Sequence, residues 1–372
     1  MLAADLLARL RPGKPLSDTA FATELARARA LVLAHGWNST SHQVLDPGMR
    51  RWFSRSGDAV VGYVSAAGVR VVAGAPVAPD GRLDAVADEF EADARRAGEA
   101  VCYFAAEERF VAALGARGHA EHLIGLQPTW EARSWGRRFD AKASLRAQRN
   151  RAVNKGVTVA EEPAAAELGP ELRACHAAWL RHKRLPRLRF LAHSDASRAD
   201  PRVLRDRRLF VARWGGTRAD GTPGRVAAYL SACPVPRRRG WLVEKVVRHP
   251  AAPNGTTELL IDAALRALAA DADRLTLGLA PLATVAADGR APEGAAPVLT
   301  GDRPAPDAAP RWLSRLEGVA VRRGRRLYDF AGLHAFKAKF DPDAWEPVYL
   351  LSTEARLTLR TLLAVAAAFL VA

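Results

Sequence analysis

Cysteine, methionine and tyrosine are scarce in this chain of 372 residues, with 3, 2 and 5 copies. Cys102, Cys175 and Cys233 stand far apart and match no metal-ligand spacing, which argues against a disulfide framework and a zinc site. Buried thiols in a reducing cytoplasm are the expectation. The chain has no Gly-x-Ser-x-Gly elbow, and His176, His182 and His193 group only loosely, so a nucleophile built on serine or histidine lacks support. A glycine-rich pyrophosphate loop is also missing, because Arg248 to Gly255 offers one glycine beside two prolines. No apolar run reaches the roughly twenty residues that cross a bilayer. Met1 to Leu16 carries Asp5, Arg9 and Arg11, which argues against a secretory leader.

Negative charge is in deficit as well, with 40 acidic against 55 basic residues and a formal charge of +15. Such a balance favours a polyanionic partner, RNA or an anionic bilayer, although an alanine- and arginine-rich composition contributes to it. At 49% hydrophobic residues the chain has ample core for two ordinary domains or one large one. At the far end, Thr361 to Ala372 is uncharged and follows Arg356 and Arg360. Too short to span, it is expected to lie on a membrane as an interfacial anchor, or else to dock on the protein's own core.

Periodicity gives two similar halves. Phe21, Leu25, Ala28 and Val32 share a helical face after a Ser17-Asp18 start, followed by strands at Ala59 to Ser65 and Val69 to Ala75. A helix through Leu83, Val86 and Phe90, a strand at Val101 to Ala105 and a helix at Glu107 to Leu114 complete the first half. The second has a helix at Glu171 to His182, strands at Leu209 to Arg213, Val226 to Cys233 and Trp241 to Val247, and a helix at Thr256 to Ala269. Strands at Leu275 to Ala280 and Pro347 to Leu351 close it. Two α/β layers of one plan in tandem are the simplest architecture. The division is 1–136, a basic linker helix at 137–156, 157–354, and the apolar segment 355–372. Residues Ala283 to Ala309 lack periodicity and read as a mobile insertion.

Chemistry is expected in two places. The block Leu327 to Phe340, continued by Trp345 to Leu350, puts Lys337 and Lys339 among aromatics, which suits an anion beside an apolar surface. Two apart, the lysines share one side of a strand but diverge on a helix. The stretch Trp241 to Leu260 reads as a strand, a Pro-Asn-Gly turn and a helix start, where free backbone N–H groups suit a phosphate or an oxyanion. Glu258 lies in the first turn, where a carboxylate also simply complements the helix dipole. Trp345 and Tyr349 would stack on a base or pack the core. The cations Arg146, Arg149, Arg151 and Lys155, together with Arg323 and Arg325, form candidate phosphate-tracking surfaces, with a solvated helix as the alternative.

These stretches, with Gly36-Trp37-Asn38-Ser39-Thr40-Ser41, Val60-Val61-Gly62-Tyr63, Ala73-Gly74-Ala75-Pro76, Arg149-Asn150-Arg151-Ala152 and Leu277 to Leu282, occur in order over roughly residues 30 to 352. In this the chain resembles the C-terminal domain family of phosphatidylglycerol lysyltransferases, also called the multiple peptide resistance factor family. The resemblance implies tandem acetyltransferase-like (GNAT) folds, α/β with mixed twisted sheets flanked by helices. It implies transfer of an amino acid from aminoacyl-tRNA to a lipid hydroxyl, with an anionic phospholipid membrane as partner and no metal or other cofactor. The flippase that often precedes the module would be a separate protein, and the enzyme would sit peripherally on the inner face of the cell membrane. For sites, it implies Arg248 as catalytic with Glu244 and Lys245 beside the aminoacyl group; the residues themselves add Lys337 and Glu258 as catalytic candidates and Asn254, Gly255, Lys339, Trp345 and Tyr349 around the substrate. Family members carry a carboxylate three residues before the arginine; here that position is Lys245, with Glu244 one residue earlier. Neighbouring strand residues face opposite ways, so Glu244 replaces that carboxylate only if the register shifts by one. A coenzyme A-dependent acyltransferase and a non-enzymatic RNA- or membrane-binding module are the alternatives.

Overall fold

The computed structural model describes residues 17–115, 117–183, 200–216, 224–281 and 330–370. The first half opens with helix α1 (Asp18–His35), capped by the Ser17 hydroxyl, which accepts the Ala20 N–H at 3.2 Å. A short 3-10 turn, Ser41–Leu45, leads into strands β1 (Arg50–Phe53), β2 (Val60–Ala66) and β3 (Val69–Ala73). Helix α2 (Leu83–Arg96) crosses to β4 (Ala100–Glu107), and α3 (Glu108–Leu114) leads to β5 (Ala120–Glu131). Helices α4 (Trp135–Ala141) and α5 (Ala143–Asn154) come next.

The second half runs β6 (Val157–Glu162), α6 (Pro170–Lys183), β7 (Arg208–Trp214), β8 (Arg225–Val235) and β9 (Gly240–Arg248). Helix α7 (Thr256–Leu268) crosses to β10 (Arg274–Thr276), with a short β11 (Ala280–Pro281) after it. The described chain ends with α8 (Phe330–Ala338), β12 (Ala344–Ser352) and α9 (Leu359–Leu370).

Each half is an antiparallel meander that ends in a parallel pair, β3 with β4 and β9 with β10, joined by a crossover helix. The repeated plan expected from periodicity is therefore present in tandem. They do not lie side by side as separate sheets. The strand order is β1-β2-β3-β4-β12-β5-β10-β9-β8-β7-β6, one continuous mixed sheet. The last strand of the second half, β12, sits between β4 and β5 of the first, while β5 pairs with β10 of the second. The halves have exchanged their terminal strands, so the sequence division at 157–354 does not follow the spatial one.

Two further expectations need correction. Residues 137–156 are not one solvated helix but parts of α4 and α5, and Phe139, Leu145 and Ala152 bury into the core beside Leu260, Ile261 and Ala264 of α7. Nor is the C-terminal segment a membrane anchor. Thr361 is buried, and Ala364, Ala367 and Ala368 pack on Val69, Val71, Cys102 and Leu350, because these small residues let α9 approach the sheet face opposite α2. Among the described residues no helix is long and apolar enough to cross a membrane. The three cysteines are free and buried.

Candidate active site

The site is set by an irregularity in β9. Its register against β8 shifts between Ser231 and Ala232, so that Lys245 pairs with Ser231 and Val243 with Ala232, leaving Glu244 as an extra residue. The contacts follow the bulge. Val243 and Val246, three apart rather than two, both face the α7 side, whereas Lys245 and Val247 face α6 and its preceding turn. Glu244 and Lys245 thus escape the strict alternation that would set them on opposite faces. The one-residue shift that the sequence required for Glu244 to act beside the Lys245 position is present.

Glu244 is held by neighbours from two segments. Gln43 of the 3-10 turn donates to it at 3.2 Å, and Arg207, just before β7, pairs with it and with Asp46 at 3.1 Å. Burial works against the Glu244 carboxylate, but Arg207 and Lys245 outweigh it and hold its pKa below the usual value. Burial pushes Asp46 up to about 6 against the pull of Arg207. Burial also opposes the Arg207 charge, yet Glu244 and Asp46 raise its pKa. Lys245 pairs at 2.5 Å with Glu167, which lies in the turn ahead of α6.

The other expected site residues fall into distinct positions. Arg248 Nη2 donates to the carbonyls of Ala252 and Pro253 and so closes the turn before α7. Asn254 is exposed, while Gly255 is buried against the α5 backbone. Glu258 pairs with Lys339, whose ammonium also lies 4.4 Å from the Phe336 ring and 5.1 Å from the Phe340 ring. Because α8 is a helix, Lys337 and Lys339 diverge. Lys337 reaches the other way and donates to the carbonyls of Leu277, Gly278 and Leu279 at 2.7, 2.8 and 2.8 Å. That segment interrupts the single strand expected over Leu275 to Ala280, with Gly278 at φ +69°. The Lys337 ammonium is thus tied to this segment by all three of its N–H groups.

Burial pushes Lys337 down to about 7. Between that value and the ordinary lysine value the unfolded chain holds the proton more firmly, so stability rises with pH across this window. Below about pH 7 both states are protonated and the penalty is constant. Lys337→Met should abolish this slope, seen as a loss of the rise in melting temperature between pH 7 and pH 9. It should also lower stability by about 1–3 kcal/mol at pH 9, since the carbonyls served by the neutral amine's N–H groups lose their donor. An unchanged pH slope in the variant would remove Lys337 as its source.

Trp345 stacks on His334 at 4.5 Å and packs on Leu126 and Ala280, whereas Tyr349 is buried in the first half's core. On α5, Arg149 is tied to Asp140 and Asp262, and Arg146 donates to the Asp140 carbonyl. Arg151 and Lys155 are exposed. Arg323, Arg325 and the start of the Leu327 block lie outside the described residues, as do His193 and the 283–309 insertion.

Sequence reasoning missed the polar junction where the halves interlock. Arg238 pairs with Glu107 of β4 at 2.9 Å and with Glu346 of β12 at 2.7 Å, and Arg274 of β10 also meets Glu346. The Ser39 N–H donates to Glu107 at 2.7 Å, and Trp37 lies between the guanidinium groups of Arg238 and Arg109, at 4.6 and 5.2 Å. The available signal was the Gly36 to Ser41 stretch, in which Asn38 to Ser41 are polar yet buried.

A model for the C-terminal region of phosphatidylglycerol lysyltransferase matches residues 29–352. The chain belongs to this family. The phosphatidylglycerol lysyltransferase of Bacillus subtilis (strain 168) is 25% identical over 342 residues, covering 91% of this chain and 36% of the relative. The chain thus spans about a third of that relative's length. Among solved structures, the C-terminal domain of an Agrobacterium fabrum protein described as a putative lysylphosphatidylglycerol synthetase superposes with a TM-score of 0.72 at 20% identity, over 94% of this chain and 98% of that one. L-PGS from Bacillus licheniformis gives 0.69 at 21% identity, over 92% and 96%. These two likenesses show that the family member has the family fold.

Proposed function

We propose that the chain transfers an aminoacyl group from aminoacyl-tRNA to the hydroxyl of a membrane lipid of the phosphatidylglycerol type. The observation that carries this reading is the family match over residues 29–352, which takes in both halves and the exchanged strand. In the reaction the lipid hydroxyl oxygen attacks the ester carbon of the donor, and a tetrahedral oxyanion forms. The bond to the terminal ribose oxygen then breaks, and the proton lost by the lipid hydroxyl ends on that ribose oxygen. The donor ester is already activated, so positioning and charge stabilisation dominate and neither ATP nor a metal enters.

Arg248 supplies a guanidinium at the open end of β9, with Nε and Nη1 outside its bonds to the turn. Arg151 and Lys155 are exposed cations on and just after α5 that suit a phosphate backbone. The formal charge of +15 favours a peripheral position on an anionic bilayer, and export of the product would be the task of a separate flippase. The coenzyme A reading has less support, because the α5 backbone crowds the start of α7, where a pyrophosphate would dock. A Cβ at Gly255 would lie 2.0 Å from the Gln148 carbonyl oxygen.

The test is incubation of the purified chain with aminoacyl-tRNA and phosphatidylglycerol vesicles, followed by lipid extraction and mass spectrometry. An aminoacylated lipid is expected, and Arg248→Ala should form it roughly a hundredfold more slowly with little change in melting temperature. Absence of product with every donor would overturn the proposal.

A further inference from the structure

On the α6 side of β8 and β9, polar groups are buried together beyond what their mutual contacts satisfy. Tyr229 and Ser231 project from β8 on the face of Lys245, Ser231 directly opposite it in the ladder. The Tyr229 hydroxyl, the Ser231 hydroxyl and Glu167 Oε2 are each buried without a hydrogen-bond partner. Their residues are 0%, 0% and 3% exposed. Buried polar atoms left unmatched are costly, so three in one place mark a position built for another polar group.

Charge identifies that group. The described array contains two cations, Arg207 and Lys245, facing three carboxylates, Asp46, Glu244 and Glu167. Among the described residues the other charges nearby are matched or disfavoured: Asp206 pairs with Arg29, and burial lowers the His42 pKa. The array therefore carries one uncompensated negative charge, and the oxygen without a partner, Glu167 Oε2, belongs to it. An ammonium group has three N–H donors and no acceptor, which matches a carboxylate oxygen and two hydroxyls.

We propose that Glu167, Tyr229 and Ser231 form the recognition site for the α-ammonium group of the aminoacyl donor, and that the donor's side chain is small and uncharged. This rests on the aminoacyl-transfer reading above, which brings one obligatory ammonium group. Among the described residues a second ammonium, as in a lysyl group, finds no further uncompensated carboxylate here. Lys245 serves as a positioning residue: its bond to Glu167 Oε1 leaves Oε2 for the incoming donor.

The experiment uses the full chain with two readouts. Calorimetry with alaninamide, N-acetylalaninamide and lysinamide reports binding without turnover, and lipid product from alanyl-, N-acetylalanyl- and lysyl-tRNA reports transfer. Alaninamide should bind at least about tenfold tighter than the other two, since acetylation removes the charge and lysine adds an unmatched one. Tyr229→Phe and Ser231→Ala each remove only an unsatisfied hydroxyl, so they should leave the melting temperature equal or higher. They should nonetheless raise KM for the alanyl donor about tenfold with little change in kcat. Glu167→Gln should weaken alaninamide binding further, but it also strands Lys245, so the two hydroxyl variants decide the matter.

Equal use of the N-acetylated donor, an unchanged KM in both hydroxyl variants, or failure of alaninamide to bind would overturn the site. Alaninamide binding that the hydroxyl variants weaken, without lipid product from any donor, would support the site while sinking the transfer reading.

Discussion

Arg207→Met should destabilise the protein by about 3–5 kcal/mol, read as a fall in the urea midpoint at an unchanged slope. The guanidinium side chain is 2% exposed and serves two carboxylates, Asp46 from the first half and Glu244 from the bulge in the second. Methionine fills much of the volume, so the cost is electrostatic: two buried carboxylates remain near one another without their shared cation. The sign of the pH response follows. Without Arg207, both carboxyls should have raised pKa values, so the folded variant binds protons that the unfolded chain releases, and its stability falls as pH rises from 5 to 8. The deficit relative to the parent should therefore shrink at pH 5. Adding Asp46→Asn and Glu244→Gln should recover most of the loss, because the uncompensated charges are then gone. A loss under about 1 kcal/mol, or a deficit that does not depend on pH, would show that Arg207 is not what holds this junction.

How much of this is legible in the sequence depends on whether the signal is local. Helix α1 follows from the Ser17 cap and the Leu25, Ala28 and Val32 face, and the β2–β3 hairpin from two β-branched runs about an Ala67-Gly68 turn. Strand β5 is not legible: Gly125 and Pro128 interrupt it, which usually argues against a central strand. Strands β1 and β6 lie at the two ends of the sheet and are hidden as well, because their Arg50-Arg51 and Glu161-Glu162 pairs read as loop.

Long-range features leave almost no trace in the sequence. A pattern predicts a strand at Pro347 to Leu351 but not its neighbours, so the exchange of β12 is visible only in the sheet order. Arg207 reads as one cation in an arginine-rich run, because its partners are 161 and 37 residues away. Alternation implies that Glu244 and Lys245 oppose one another, and it fails at the bulge, which no residue type in β9 announces. The two lysines of the Leu327 block are legible as a pair that a helix would separate, and α8 does separate them.

Gly255→Ala should be as damaging as the loss of Arg207, for a backbone reason. Gly255 has φ +89°, where an L-residue with a side chain is strained by about 1–2 kcal/mol. Steric exclusion costs more than this strain. A Cβ there would sit 2.0 Å from the Gln148 carbonyl oxygen and 2.8 Å from its carbon, and this neighbour is the α5 main chain, which cannot rotate away. Relief requires α5 to move off α7, which opens the packing of Leu145 and Ala152 and stretches the 3.0 Å bond from Arg149 to Asp262. A combined cost of at least about 3 kcal/mol is expected. Gly98→Ala supplies the control: Gly98 has a similar φ of +70°, but an added Cβ there meets nothing within 4 Å. That variant should show the strain alone. The displacement should also disturb the exposed Arg151 and Lys155, so tRNA binding should weaken in Gly255→Ala and not in Gly98→Ala. Equal urea midpoints for the two variants would mean that strain accounts for the whole effect and that the α5–α7 contact does not constrain Gly255.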